Sequence, residues 1–465
     1  MDRARQGHNA AHSALATSRF AAQIRAVNVE LINTGTELLL GRVLNTHQQW
    51  ICHRLADLGY TVSRQVAVPD TGRDIEQAVR EALSRADLVI TTGGLGPTSD
   101  DITRDLIANL LNRKLHEDAA IAKHIESFFV ARNRPMPAST LVQAFVPEGA
   151  IVLHNPNGTA PGLAIKIQED GQLTMEDGGN RSRPSSIDTQ SSTPTKWLIM
   201  LPGPPRELRP MFNDSVVPLL QRELPLTEPF VCLTLRTTGI GESNVQEKIS
   251  GQLMPLVARG LDLGYCARVG QVDVRLAARG RLGMELISEG EIIVRSAVGP
   301  HIFSSSEEDI ERVVVQMLTE RRKTLAIAES CTGGSIANRI TNIPGASAVL
   351  IAGLVTYAND AKQKFLGVRA ETLKIHGAVS EATALEMAEG ARRETGADFA
   401  LSVTGIAGPS GGTADKPAGT AFIGFSSAAA TLDVRVFNPY DRETFKQATS
   451  QQALELLRGT ILAAV

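Results

Sequence analysis

The sequence predicts an α/β protein built in three consecutive parts: a helix-covered sheet, a small α+β unit and a second α/β domain. Three observations predict it. Short apolar runs alternate with segments of helical period, the pattern of a mainly parallel sheet buried on both faces. Turns rich in glycine and hydroxyl residues follow those runs, where open parallel sheets bind ligands. The chain has 465 residues, and at about 150 residues per domain there is room for about three.

The first part spans 27–225. Its run 29–34 is short, apolar and stopped by Gly35, which predicts a strand. Residues 45–58 carry Trp50, Ile51, Leu55 and Leu58 at helical spacing, and Gly59 ends the helix. Strand 61–68, helix 73–85 and buried strand 86–92 follow, then a helix from about Thr103. The stretch 169–196 is rich in Gly, Ser, Thr and Pro and too poor in apolar residues to bury a core. It reads as a disordered insertion between strands 162–167 and 197–201. A helix over 206–222 closes this part. The middle part, 226–304, has strands 230–237 and 271–278 and helices 241–253 and 284–297. The third part, 305–465, opens with helix 307–322 and continues through strand 324–328, helix 335–341 and strand 421–425. Residues 1–26 are Arg-rich and acid-poor, as in a transit peptide, but lack the apolar stretch of a secretory signal. They read as a loosely ordered extension.

Composition narrows the function. Lys and Arg number 47 against 50 Asp and Glu, a net charge of -3. That is not the basic excess of a duplex binder, so nucleic acid is not an expected partner. The four cysteines, Cys52, Cys232, Cys266 and Cys331, are far apart with no CxxC pair. This argues against a disulfide scaffold and a thiolate zinc site, and points to a cytoplasmic protein. No run of 18 apolar residues is present, so no membrane span is expected.

The sharpest signal in the first part is Thr91-Thr92-Gly93-Gly94-Leu95-Gly96-Pro97-Thr98-Ser99-Asp100-Asp101. Small residues between a strand and a helix let backbone N–H groups approach a phosphate, and Asp100 and Asp101 could hold a divalent cation against it. A glycine turn with Asp as helix cap is the competing reading. Four further segments, 33–39, 68–70, 157–162 and 201–207, join it, each placing Gly, Asn or a carboxylate such as Glu37, Asp70 or Glu207 at a strand end. In the middle part, Thr238-Gly239-Ile240-Gly241-Glu242 lacks the GXXG spacing of an RNA-binding KH loop, so the unit reads as structural or dimerising. In the third part, Glu329-Ser330-Cys331-Thr332-Gly333-Gly334 joins a strand to a helix and gathers hydroxyl and N–H donors. Cys331 lacks a neighbouring His and reads as a small buried residue. Ser347 sits in a turn of small residues, Lys362 lies past a strand end, and Ser402–Gly412 forms another donor-rich turn. Only His301 and His376 follow residue 154, so a Ser–His–Asp triad is weakly supported, and a desolvated lysine could serve as base instead. On residues alone, Ser347 with Lys362 is one of many pairings.

The N-terminal motifs resemble the molybdopterin-binding fold of MoaB/MogA proteins and, more closely, the N-terminal domain of the CinA family, over about 27–220. That resemblance implies a three-layer MoaB/MogA-like sheet and a metal-dependent ADP-ribose pyrophosphatase activity. It places Asp70 and Asp101 at the acidic pocket positions, with Glu37, Gly93, Gly94, Gly96, Thr98 and Asp100 completing a nucleotide-binding set. A Nudix-type glutamate box is absent, so a different metal site is implied: Asp100 and Asp101, binding a divalent ion with or without a monovalent one. The middle part resembles the family's KH-type unit. The succession ESCTGG, PGASA, VTYANDAK, HGAVSE, VTGIAGPSGG and KPAGT resembles the CinA C-terminal domain over 325–420. The resemblance implies hydrolysis of nicotinamide mononucleotide to nicotinate mononucleotide and ammonia, without a cofactor. Ser347 is then the expected nucleophile and Lys362 its base, with Tyr357 beside them. Ser330, Thr332, Gly333, Thr404, Gly405 and Arg442 are the expected substrate contacts. The expected assembly is a homodimer. The alternative is a non-catalytic nucleotide- or pterin-binding protein acting in competence or the DNA-damage response.

Overall fold

The computed structural model describes residues 27–167, 195–306 and 308–463. The expected extension 1–26 and nearly all of the expected insertion lie outside the described residues. The chain divides into two compact units after Phe230.

In the first unit, six strands form one sheet. They are β1 (Asn28–Thr34), β2 (Thr61–Val68), β3 (Leu88–Thr92), β4 (Ala150–Leu153), β5 (Gly162–Ile167) and β6 (Lys196–Leu201). Their spatial order is β2-β1-β3-β6-β5-β4. The first four in that order run parallel, and β5 and β4 each reverse. Alternation along β1 and β3 sends Leu31, Leu88 and Ile90 into one core and Ile32 and Val89 into another. Helix α1 (Thr46–Asp57) covers the first face through Ile51 and Leu55, and the Asn45 side chain caps it at the Gln48 amide. Helices α2 (Gly72–Arg85), α3 (Thr103–Leu110) and α4 (Ala119–Val130) cover the second through Ile75, Val79, Ile107 and Ile125. The result is the expected three-layer sheet; each fully buried Leu or Ile contributes about 1.5–3 kcal/mol. The helix expected over 206–222 is interrupted. Helix Pro205–Met211, containing Pro210, gives way to a π-helical turn, Phe212–Val216, before helix Val217–Glu223. Pro210 has no N–H to complete a regular ladder.

The second unit joins the middle and third parts of the sequence. Strands β7 (Phe230–Thr238), β8 (Leu261–Arg268), β9 (Gln271–Arg279) and β10 (Ile302–Ser304) form a sheet in the order β8-β9-β7-β10. Helices α5 (Glu242–Ala258) and α6 (Gly283–Val298) bury Ile249, Leu253, Leu286 and Val294 against it. Strand β8 was not expected from the sequence; its exposed and half-buried residues hide its pairing with β9. The other sheet contains β11 (Leu325–Glu329), β12 (Leu350–Val355), β13 (Phe399–Gly405), β14 (Thr420–Ser426) and β15 (Thr431–Phe437), in the order β12-β11-β13-β14-β15. The first three in that order are parallel and the last two antiparallel additions. Helices α7 (Ile310–Arg321), α8 (Ser335–Thr341), α9 (Asn359–Leu366), α10 (Glu381–Thr395) and α11 (Arg442–Ala463) pack around it. The sheets are fastened by polar contacts: Arg236 pairs with Asp309 at 3.0 Å, and Arg458 donates to the Pro300 carbonyl at 3.0 Å. Among the described residues no helix is long and apolar enough to cross a membrane.

Candidate active site

Strand β11 lies between β12 and β13, so the chain leaves it in one direction and returns on the other. Such a reversal opens a crevice at the carboxyl ends of the central strands. Ser330, the residue after β11, is pinned there by its amide, which donates to the Val403 carbonyl at 2.9 Å. Lys362 on α9 is only 1% exposed. Its Nζ lies 3.0 Å from Ser330 Oγ, 2.7 Å from the Thr356 carbonyl and 3.1 Å from the Tyr357 carbonyl. Among the described residues no carboxylate forms an ion pair with it. Burial holds its pKa below the ordinary lysine range, opposed only in part by the nearby Cys331. The geometry also orients the amine. Carbonyl oxygens can only accept, so a neutral Lys362 spends both N–H bonds on Thr356 and Tyr357. Its lone pair then falls toward Ser330 Oγ.

The turn after Ser330 is built by Glu329, whose side chain is fully buried. It accepts from the amides of Gly334, Ile336 and Ala337 at 3.0, 3.2 and 2.9 Å, at the start of α8. Gly333 and Gly334 have φ of +64° and +95°, which a side chain would strain. The Gly333 amide donates to the Ser330 carbonyl. The Cys331 and Thr332 amides approach the Cys331 sulfur. Cys331 is buried as expected, and burial pushes its thiol up to about 12, so it stays a weakly nucleophilic thiol.

The expected pairing of Ser347 with Lys362 is corrected by this geometry. Ser347 is exposed in a 3-10 turn, Ala346–Ala348, that precedes β12, whereas Lys362 follows the strand's other end. The length of β12, roughly 20 Å at about 3.3 Å per residue, separates the two sheet edges. The serine beside Lys362 is Ser330, which sequence reasoning placed among the substrate contacts. Three further expectations change. The Thr404 hydroxyl is buried and donates to the Ala378 carbonyl at 2.7 Å, so it holds a loop. The Thr332 hydroxyl is buried and has no partner, and so is not presented at the surface. Gly405 is a packing glycine: an added Cβ would lie 2.7 Å from that of Ala421. Arg442 and Tyr357 do meet. Tyr357 is exposed, and its hydroxyl accepts from the Arg442 guanidinium at 2.8 Å. Arg442 also donates to the Gly408 carbonyl at 3.1 Å.

The first unit has the same reversal at β1, between β2 and β3. A cleft of about 610 Å³ opens at their ends, lined by Glu37, Asp70, Gly93, Gly94, Gly96, Asp100 and Asp101. The expected nucleotide-binding residues therefore gather, with Thr98 beside them. Their carboxylates, however, are bound to the turn itself. Asp70 accepts from the Thr36 amide at 2.8 Å, and its own amide donates to the Thr36 hydroxyl. Asp101 accepts from both the Thr98 amide and hydroxyl. Asp100 is exposed, and the nearby Thr98 hydroxyl and its own amide hold its carboxyl below the ordinary range. Among the described residues no group of three His, Cys, Asp or Glu could hold a metal ion. Asp100 and Asp101 therefore do not by themselves fit a divalent cation, and no step is derived through one. Gly94 and Gly96 leave room for Thr103 and Asp101, so the turn's own packing requires them. The buried Glu207, which ends the 201–207 motif, also lines this cleft, as does His47, which sequence reasoning did not single out.

Three families match in succession along the chain. Residues 30–222 match the one described as "Probable molybdopterin binding domain", 233–304 the damage-inducible protein CinA KH domain, and 307–461 the CinA C-terminal domain. A CinA-like protein from Akkermansia muciniphila is 43% identical over 437 residues, covering 93% of this chain and 97% of its own. The chain belongs to the CinA family. Another CinA-like protein, from Kosmotoga olearia, is 39% identical and covered over its whole length, against 94% of this chain. Among solved structures, the competence/damage-inducible protein CihA from Agrobacterium tumefaciens is 42% identical. It overlays 33% of this chain and 93% of its own at a TM-score of 0.32. The serine of this contact stands on the ESCTGG turn and the lysine on the VTYANDAK segment, two motifs that the sequence displays. Ser330 ends a buried strand and Lys362 follows the neighbouring one; only the strand order says that those ends adjoin.

Proposed function

We propose that the second unit is an amidohydrolase acting on nicotinamide mononucleotide, with Ser330 as nucleophile and Lys362 as general base. One observation carries the reading: a buried lysine amine without a carboxylate partner, 3.0 Å from a serine hydroxyl at a strand-end crevice. Ser330 Oγ attacks the carboxamide carbon as its proton passes to Lys362 Nζ. A backbone N–H donor at the developing oxyanion would contribute about 3 kcal/mol. Lys362 then gives the proton to the amide nitrogen, the C–N bond breaks and ammonia leaves. A water molecule, deprotonated by Lys362, attacks the resulting ester and releases nicotinate mononucleotide and Ser330. The substrate identity comes from the family resemblance.

Ammonia release from nicotinamide mononucleotide by the purified chain tests this reading. Release that disappears in Ser330→Ala and Lys362→Ala supports it; release that survives either change sinks the dyad. For the first unit we propose a nucleotide-binding cleft that acts on ADP-ribose. It rests on the strand-end crevice and the glycine turn, and AMP formation with and without added divalent ions tests it. Binding of mononucleotide and ADP-ribose with no product from either would favour the non-catalytic alternative.

A further inference from the structure

A cleft of about 690 Å³ lies within the second unit. One wall is the turn between β8 and β9, carrying Arg268 and Gln271. The other carries Ser335, Arg339, Arg442 and Lys446. Two of its four cations are neutralised: Arg339 pairs with Glu311 at 2.7 Å, and Arg268 with Asp273 at 2.6 Å. The other two have no carboxylate partner among the described residues. The Arg442 guanidinium donates to the Tyr357 hydroxyl and the Gly408 carbonyl, and the Lys446 ammonium has no hydrogen-bond or ion-pair partner among the described residues. Glu443 lines the same cleft but pairs with neither.

Arg442 and Lys446 are four residues apart on α11, so both project from one helix face. Lys446 reaches the nucleophile's turn: its Nζ lies 3.5 Å from where a Cβ on Gly333 would stand. Arg442 reaches the same region through Tyr357, whose carbonyl holds Lys362. Two unneutralised cations thus stand at the border between the dyad and an open cleft. Ser330 and Lys362 do not themselves line the cleft. A ligand with its reacting group at Ser330 and a dianionic group beyond the Gly333 turn fits this arrangement. A phosphate monoester carries about -1.5 to -2 charges near neutrality, matching the pair.

We propose that Lys446, with Arg442, holds the substrate's phosphate, and so restricts the amidase to mononucleotides over nucleosides. The β8–β9 turn of the middle domain closes the far side of that phosphate site. This rests on the amidase reading above but is tested without turnover. Calorimetry on the full-length chain, with nicotinate mononucleotide and then nicotinate riboside, measures what the phosphate contributes to binding. The wild type should favour the mononucleotide by about tenfold or more. Lys446→Ala and Lys446→Met should each lose most of that margin with riboside affinity unchanged, and Lys446→Arg should keep it. Methionine preserves most of the apolar stem, so equal losses in both variants exclude a packing effect. A margin unchanged in both, or no margin in the wild type, overturns the proposal. Phosphate-dependent binding through Lys446 without ammonia release from nicotinamide mononucleotide would sink the amidase reading and leave the phosphate site standing.

Discussion

The two units place their clefts by the same topological device and fill them with opposite chemistry. In each, a first strand is flanked by the second and third, and its carboxyl end borders the cleft. At β11 that end presents a buried, carboxylate-free lysine against a serine hydroxyl. At β1 and β3 it presents carboxylates already hydrogen-bonded to the turn that carries them. The lesson is that topology selects where a ligand sits and says nothing about what happens to it. A group kept out of water without a compensating charge is poised to change protonation state. A carboxylate satisfied by its own backbone is fastened in place.

The comparison breaks most sharply at the dyad. Ser330→Ala or Lys362→Ala should cut kcat for ammonia release by about 1,000-fold or more, measured by a coupled ammonia assay. Wild-type rates in both variants would remove the contrast. The next effect is on pH. Because burial lowers the Lys362 pKa, the base form gains population as pH rises through that depressed value. The kcat/KM profile should climb and level off below the ordinary lysine range near 10.4. A climb centred on an ordinary lysine pKa would mean that the amine is solvated. Lys362→Arg should abolish the climb, since arginine stays protonated.

A smaller effect is expected on stability. Glu329→Gln weakens the buried acceptor of three backbone amides and should cost about 1.5–3 kcal/mol in denaturant unfolding. In the first unit, Asp101→Ala should cost about 0.5–1.5 kcal/mol, the worth of its hydrogen bonds to Thr98. If Asp101 only caps its turn, Asp101→Asn should recover ADP-ribose binding measured by calorimetry. If its charge serves the ligand, it should not. The smallest effect belongs to Ser347→Ala, which should change ammonia release by less than about twofold.

Much of the fold was legible because local chemistry decided it. The strand at β1 and its stop at Gly35, the Asn45-capped α1 and the buried β3 follow from apolar period and capping residues that the chain displays in order. Strand β8 was hidden, because its pairing with β9 exposes it to partial solvent and leaves no clean alternation. The site was legible by residue type and not by partnership. ESCTGG and VTYANDAK stood out, and so did Lys362, yet the wrong serine was matched to it. On residues alone Ser347 with Lys362 is one of many pairings, and the resemblance, not the spacing, selected it.

By itself, then, the sequence determined the three-part α/β architecture, the CinA membership and the set of hydroxyl, lysine and arginine side chains that can do chemistry. Only the tertiary structure decided which of them meet. Parallel pairing of β11 with β12 brings Glu329 level with Val355, so the residues just beyond those strands share one edge, while the turn holding Ser347 is left at the other. The register of the central β11 is held by burial of all five of its residues at once. No local run of the chain contains that information.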